Sequence, residues 1–330
     1  MRVGLYANPQ DASDRTAAQL RDGVVRMARA ADEAGFDHLS AGQHYLSDFT
    51  QLQLLPTLAR LTGEVSDVEI GTGVVLLPFH HPVDLAERIA TLDALHDGPT
   101  VFGAGAGYRE PEFRAFGIPE ADRFRRTMEC FDLATQLLEE ESVTFEGEQF
   151  AVEDASIPVR PDPDDLTTWL AANADRAVSR AAKYADAWFV NPHATISEIR
   201  EQKVEHYDPI REKRGEDTWL PVFREAFVAP THEAAVDTAR EHLWEKYQRY
   251  LDWGQDEAME DTDDLHRPFE ELAEDRFVLG TPAEVCAEIE RYEADLDAEL
   301  VVFRVHWPGL DYDDAVECVE LIGDEVIPHV

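Results

Sequence analysis

Seven short segments of this 330-residue chain carry residue types that can do chemistry, and each stands where an apolar run gives way to a loop: Ala7 to Pro9, Gly42 to Tyr45, Pro78 to His81, Gly103 to Arg109, Ala172 to Arg176, Asn191 to His193, and His306 to Pro308. Gly103, Gly105 and Gly107 permit close approach of backbone to a ligand, because no Cβ intervenes. A dinucleotide fingerprint would need its last glycine to open a helix; Tyr108, Arg109 and Pro111 follow instead, which argues against one. Asn173 stands as the N-cap of a helix with Arg176 in its first turn. Backbone amides there favour an anion and Arg adds a bidentate donor, while Asp175 opposes by its charge, so a solvent-facing Asp and Arg stays open. His80 and His81 diverge in an extended segment without an acidic or cysteine partner at ligand spacing, so no metal site is expected. No GxSxG or nucleophilic-cysteine motif occurs.

The elements that position these segments alternate. Glu69 to Glu110 reads as strand, turn, helix, strand and glycine-rich loop. Ile70 to Leu77 is a nearly unbroken apolar run, suited to a strand covered on both faces. Pro82 opens a helix with Leu85, Ile89, Leu92 and Leu95 on one face; Gly98 and Pro99 stop it, and Thr100 to Ala104 is the next strand. Strands are likewise expected at Arg2 to Ala7, Asp37 to Ala41, Thr168 to Ala172, Ala187 to Val190, Pro221 to Val228 and Glu299 to Val305. Helices are expected at Asp14 to Ala34, ended by Gly35, then at Leu52 to Thr62, Arg123 to Glu141, Asp175 to Tyr184, Ile196 to Arg214, His232 to Tyr250, Thr281 to Asp295 and Asp313 to Ile327. This alternation predicts a single-domain (β/α)8 TIM-type barrel over 1–330, with insertions near 143–165, a hairpin and proline-rich crossing, and near 252–275, an acidic run. An open doubly wound sheet is the alternative. In a barrel, function sits at the carboxyl ends of the strands, where the seven segments fall.

Composition narrows the function classes. The chain holds 69 acidic and 29 basic residues, a net charge of -40, with four lysines. Self-repulsion on that scale is screened by salt, the Debye length being about 3 Å at 1 M, which points to an extreme halophile's cytosol. No basic stripe exists to neutralise phosphates, so nucleic acid is not an expected partner. Cys130, Cys286 and Cys318 are odd in number and far apart, which indicates neither a disulfide framework nor a zinc ribbon. MRVGLYANPQ enters a strand directly, with no signal-peptide pattern, and no apolar run approaches the ~20 residues that span a bilayer. A cytoplasmic protein without membrane attachment is expected.

At this point the residues resemble a known family, the bacterial luciferase-like monooxygenases, whose members use reduced flavin or its deazaflavin analogue. The stretches that carry the resemblance run through nearly the whole chain: EAGFDHLSAGQHY, GTGVVLLPFHHPVDLAERIATLDALHDG, FGAGAGYREPEFRAFGI, ADAWFV, LGTPAEVCAEIERY and EVIP. With the charge balance, the chain is similar to a haloarchaeal-type member. The resemblance implies a barrel with an insertion after the fourth strand, a homodimer formed through first-half helices, and a flavin lying across the strand ends. It makes His44 the residue beside the reacting edge of the flavin, where a group must take and give a proton near neutral pH; a structural histidine is the alternative. Relatives often carry an acidic residue before this position and a histidine after it. Gln43 and Tyr45 stand here, and an amide can orient an imidazole without stabilising its charge.

The resemblance further matches Gly73 and Val74 to a bulge under the central flavin ring, joined by a cis peptide, and Tyr6 to a position lining the same cavity. Gly105 and Ala106 would pack the flavin edge, and Asn173, Ala174 and Arg176 would meet its phosphate. Arg109 and Arg125 are further matching basic positions, each open between phosphate contact and salt bridge. Trp188, Trp307 and His193 are assigned to the substrate side, with core packing the alternative for Trp188. The implied activity is a flavin-dependent monooxygenase that takes reduced FMN from a separate reductase and acts with O2 on a small organic substrate. A hydride-transfer oxidoreductase using a 5-deazaflavin coenzyme is the first alternative, although its longer acidic tail would want more basic groups at the barrel mouth. A non-catalytic flavin-binding protein is the second.

Overall fold

Alternation of apolar residues along each strand decides the architecture. In β1 (Arg2–Tyr6), Val3 and Leu5 belong to the core under the surrounding helices while Tyr6 belongs to a second core inside the strand layer. Both faces are buried, which is why such strands read as continuous apolar runs. The computed structural model describes residues 1–12, 14–66, 68–162, 165–253 and 267–330. Seven further strands follow: β2 (His38–Ala41), β3 (Glu69–Thr72), β4 (Thr100–Gly105), β5 (Leu166–Ala172), β6 (Ala187–Val190), β7 (Leu220–Val228) and β8 (Ala298–Arg304). Each pairs in parallel with the next in chain order, and β8 pairs with β1. The sheet therefore closes as a (β/α)8 barrel, and the open doubly wound sheet is excluded because no barrel strand is left with a free edge.

The barrel interior is filled by rings. Trp169 of β5 stacks on Phe189 of β6 at 5.3 Å, Phe189 on Phe223 of β7 at 5.8 Å, and Phe223 lies 4.4 Å from Tyr6. At the amino ends of the strands, His38 Nδ1 meets Glu69 Oε2 at 2.7 Å beside Trp169, which seals that end. Burial by itself would raise the Glu69 carboxyl, but His38 and Arg2 more than offset it and hold it below its usual range. The open end is the carboxyl end.

The helices ring the strands. α1 (Ala17–Glu33) starts at a Thr16–Gln19 capping box and ends before Gly35, whose φ of 81° is the left-handed terminus expected there. α2 (Leu54–Leu61) and α3 (Pro82–Ala94) follow β2 and β3. Two elements differ from expectation after that. A short helix, α4 (Glu110–Phe116), stands in what read as the tail of a loop, and α5 (Arg123–Glu139) comes after it. The strand expected from Ile70 to Leu77 stops at Thr72; a cis peptide joins Gly73 to Val74, as the resemblance implied, before Val75–Leu76 pairs with β4.

Between α5 and β5 lies the hairpin Val143–Glu146 with Ala151–Ala155. After β5 comes α6 (Asp175–Tyr184). The helix expected over Ile196 to Arg214 is divided into α7 (Ile196–Gln202), a π-helical turn Lys203–Tyr207 and α8 (Asp208–Arg214). Pro209 stands just past that turn and has no N–H with which to continue a regular ladder. α9 (His232–Asp252), α10 (Phe269–Ala273), α11 (Pro282–Leu296) and α12 (Tyr312–Glu325) complete the ring. Most of the insertion expected over 252–275 falls on 254–266, outside the described residues. No described helix is long and apolar enough to cross a membrane.

Candidate active site

A cavity of about 610 Å³ opens over the carboxyl ends of the barrel strands. On its wall the structure brings together Tyr6, His44, Gly73, Val74, Gly105, Ala106, Asn173, Ala174 and Arg176, residues drawn from β1 to β5 and the segments that follow them. It leaves Arg109 and Arg125 out. Arg125 is exposed and ion-paired with Glu148, so its guanidinium faces solvent. Arg109 is 3% exposed and donates to the carbonyl of Tyr45 at 2.7 Å and to Glu112 at 3.2 Å, with Trp253 stacked 4.0 Å above it. It holds the loop after β2 in place instead of facing a ligand.

The same network seats His44. Glu112, fully buried on α4, places Oε1 3.3 Å from His44 Nδ1 and accepts the Tyr45 amide at 2.8 Å. A carboxylate acceptor fixes the Nδ1–H form of the ring and leaves Nε2, which has no protein partner among the described residues, for the cavity. The role that Gln43 was expected to play beside the imidazole falls to Glu112. Gln43 turns the other way: its Oε1 accepts the Leu76 amide at 3.0 Å and lies 3.1 Å from His80 Nε2. His80 is thereby buried and held neutral, pushed down to about 4 by burial and by Arg88, while exposed His81 caps α3. The two histidines diverge, and no group of three metal-ligating side chains occurs among the described residues. Tyr108, Tyr250 and Trp253 stand edge-on around the His44 ring at 6.0, 6.0 and 5.5 Å.

Side chains are missing from part of the cavity wall for a steric reason. A Cβ at Gly105 would come 2.7 Å from Val74 Cγ2, and one at Gly42 would collide with the Tyr6 hydroxyl. Gly42, Gly73 and Gly105 therefore leave bare backbone there. Burial keeps the Tyr6 hydroxyl protonated, far above its ordinary range.

Charge is distributed unevenly around this seat. Arg123, Arg176, Arg180, Lys246 and Arg304 lie on the cavity wall; among the described residues, no Asp or Glu does. In a chain with 69 acidic and 29 basic residues that is the reverse of the average surface. Arg123 begins α5 and Arg176 and Arg180 lie on one face of α6, so these three gather on the β4–β5 side. None has a carboxylate within salt-bridge distance among the described residues. The N-cap of α6 is Ala174 and not Asn173, and it makes no side-chain hydrogen bond, so the first amides of the helix are left for a ligand. Asn173 instead bonds Asn191, and the Asp175 carboxylate is engaged by His206 at 3.1 Å and Gln202 at 3.2 Å and is not on the cavity wall.

On the opposite, β7–β8–β1 side stand Lys246 of α9 and Arg304 of β8. Lys246 is bonded to buried Glu225, and burial together with Arg304 pushes its amine down to about 7. Of the aromatic and histidine residues assigned to the substrate side, His193 lines the cavity and is held neutral by burial and by Lys246, Arg276, Arg224 and Arg304. Trp307 does not; it is fully buried and donates to Glu225 at 2.6 Å. Trp188 is core, donating to the Ala172 carbonyl at 2.9 Å. Buried Cys130 and Cys318 have thiols pushed up to about 12, which leaves them inert.

Sequence reading missed Glu112, Arg123, Arg180, Lys246 and Arg304. For Arg180 a signal existed, since it lies one helical turn from Arg176. For the others no local spacing connects them to the cavity.

Comparison with known proteins agrees with this geometry. A family model described as luciferase-like monooxygenase matches residues 1–299. The chain is 26% identical to limonene 1,2-monooxygenase of Rhodococcus erythropolis over 99% of its own length and 86% of that protein. It is 28% identical to the F420-dependent glucose-6-phosphate dehydrogenase of Microbacterium testaceum over 91% and 90%. The fold superposes with a TM-score of 0.85 on the monooxygenase RslO1 of Streptomyces bottropensis, at 20% identity, covering 100% of this chain and 99% of that one. The chain therefore belongs to the luciferase-like monooxygenase family, which includes flavin monooxygenases and F420-dependent oxidoreductases.

Proposed function

We propose that this protein is a flavin-dependent monooxygenase that takes reduced FMN from a separate reductase and acts with dioxygen on a small organic substrate. The observation that carries the reading is the make-up of one cavity: bare glycine backbone, a cationic wall without carboxylates on the β4–β5 side, and an aromatic enclosure around His44. A wide planar ring system fits against the backbone of Gly42, Gly73 and Gly105 on the cavity wall, where Tyr6 and Val74 already fill the space that a Cβ at Gly42 or Gly105 would need. A phosphate fits the open amides of α6 beside Arg176 and Arg180. Bound reduced flavin would supply the electrons that activate oxygen.

The chain's own residues do the rest. Glu112 orients His44, whose free Nε2 holds or returns a proton at the cavity edge. Tyr108, Tyr250 and Trp253 keep water from that edge, where it would divert the reaction. A homodimer and a reductase partner belong to the same proposal. Light scattering tests the first, and dependence of turnover on an added reductase tests the second.

One observation favours a second reading, a deazaflavin-dependent hydride transfer. The basic groups that its acidic tail requires are supplied by Arg123, Arg176 and Arg180, which the fold gathers at the mouth. Titration with FMN and with the deazaflavin separates the readings. Tight FMN binding followed by oxygen uptake on reduction supports the monooxygenase; binding of the deazaflavin alone, with no oxygen uptake, supports hydride transfer. Binding of either without turnover, unchanged by substituting His44, would indicate a carrier.

A further inference from the structure

We infer that the substrate carries a carboxylate, held by Lys246 and Arg304 on the β7–β8–β1 side of the cavity. The inference rests on the proposed cofactor placement, which gives the three arginines of the β4–β5 side to the cofactor and leaves the cations opposite without a task. Barrel order sets the distance between the two groups: β4 and β5 lie half a turn around the closed sheet from β8 and β1.

Lys246 is 2% exposed, Arg304 is 3% exposed and Glu225 is fully buried. Glu225 binds Lys246 through Oε1 and accepts Trp307 Nε1 through Oε2, so both its oxygens are engaged. Arg304 finds only neutral acceptors among the described residues: the carbonyl of His306 and Gln10 Oε1, each at 3.1 Å. The two cations that face the cavity share one carboxylate, which does not face it, and fully buried Arg224, bonded only to neutral acceptors among the described residues, adds to the positive charge nearby. An uncompensated buried charge is costly unless a counter-charge arrives. A carboxylate entering the cavity offsets part of that surplus. The Lys246 amine is pushed down to about 7, first by burial and then by Arg304, and an anion beside it would favour its protonated form. Beside the cations lie Phe189 and Phe223, which suit an apolar or aromatic body behind the carboxylate.

Benzoate and its uncharged isostere benzamide are the probes, titrated calorimetrically into the protein with and without saturating FMN. Benzoate is expected to bind at least about tenfold more tightly than benzamide, as a charge-assisted hydrogen bond gives. Lys246→Met should abolish the preference, Lys246→Arg should retain it, Glu225→Gln should strengthen it, and Arg176→Ala should leave it intact. Thermal unfolding and FMN affinity of the Lys246 variants show that they are folded. Equal affinity for the two probes overturns the inference, as does a preference lost in Arg176→Ala and kept in Lys246→Met. If FMN binds and the preference is absent, the inference alone falls; if the preference is present and neither flavin nor deazaflavin binds, the cofactor reading alone falls.

Discussion

His44 owes its orientation to a residue 68 positions away. Glu112 accepts from the imidazole, from the Tyr45 amide and from Arg109 with a single oxygen, while its Oε2 is buried without a partner among the described residues. Glu112→Gln removes the countercharge of buried Arg109, and breaking a buried pair in this way costs about 3–5 kcal/mol. The urea midpoint should fall accordingly, and nitrogen-15 shifts of His44 should move from the Nδ1–H form toward a mixture of tautomers. A midpoint equal to the parent's would show that the pair contributes nothing. His44→Asn removes the imidazole to which the proposed function gives proton transfer. Reoxidation of bound reduced FMN should then slow by about 10²-fold or more, as loss of a general acid–base does, with flavin affinity retained. Rapid-mixing absorbance measures this, and an unaltered rate would return His44 to a structural role.

Among the elements, α6 is the one on which the proposed phosphate site depends. Its uncapped amino end points at the cavity, and one turn of spacing puts Arg176 and Arg180 on the same side. Comparing FMN with riboflavin, which lacks the phosphate, isolates that contribution. Arg176→Ala and Arg180→Ala should each weaken FMN by about tenfold and leave riboflavin nearly unchanged, the size of one charge-assisted bond. Arg125→Ala, at an exposed pair with Glu148, should affect neither. Equal losses for both ligands would move the phosphate elsewhere. Strand β4 makes the complementary contribution: Gly105→Val puts bulk against Val74 at the seat, so it should lower the affinity for FMN and riboflavin alike.

At the scale of the whole molecule two electrostatic features set stability. The net charge of -40 predicts an unfolding temperature that rises steadily with KCl, and a flat response would count against the halophilic reading. Three buried histidines govern the acid side. His80 and His306 are pushed down from 6.5 to about 4 and about 3, and His193 well below its ordinary value, each chiefly by burial. The unfolded chain takes up protons at these rings below about 6.5 and the folded chain does not, so stability falls on acidification. The slope is about 1.4 kcal/mol per pH unit for each ring. Asp11, Asp93 and Glu139, raised by burial, act in the opposite sense but titrate from lower starting values. Thermal unfolding between pH 6.5 and 5 at about 1 M salt, where surface charge is screened, measures the balance; a midpoint that climbs on acidification would overturn the assignment.

What the sequence alone determined is what depends on near neighbours along the chain. Apolar alternation and helix boundaries located the eight strand and helix pairs, and with them the end of the barrel at which function sits. Gly73, Val74 and Tyr6 were reached through the family resemblance and Gly105 through its glycine-rich loop, and the structure places all four on the cavity wall. Tertiary structure alone decided which charged groups face the cavity. Arg109 and Arg125 stand in the right segments, yet one is turned inward to Glu112 and the other outward to Glu148. Lys246, Glu225 and Arg304 lie on a helix and two strands far apart in the chain, and no local spacing foretells that they meet. A buried charge such as Lys246 turns toward whichever partner satisfies it at least cost, and barrel closure brings that partner, Glu225, from another element.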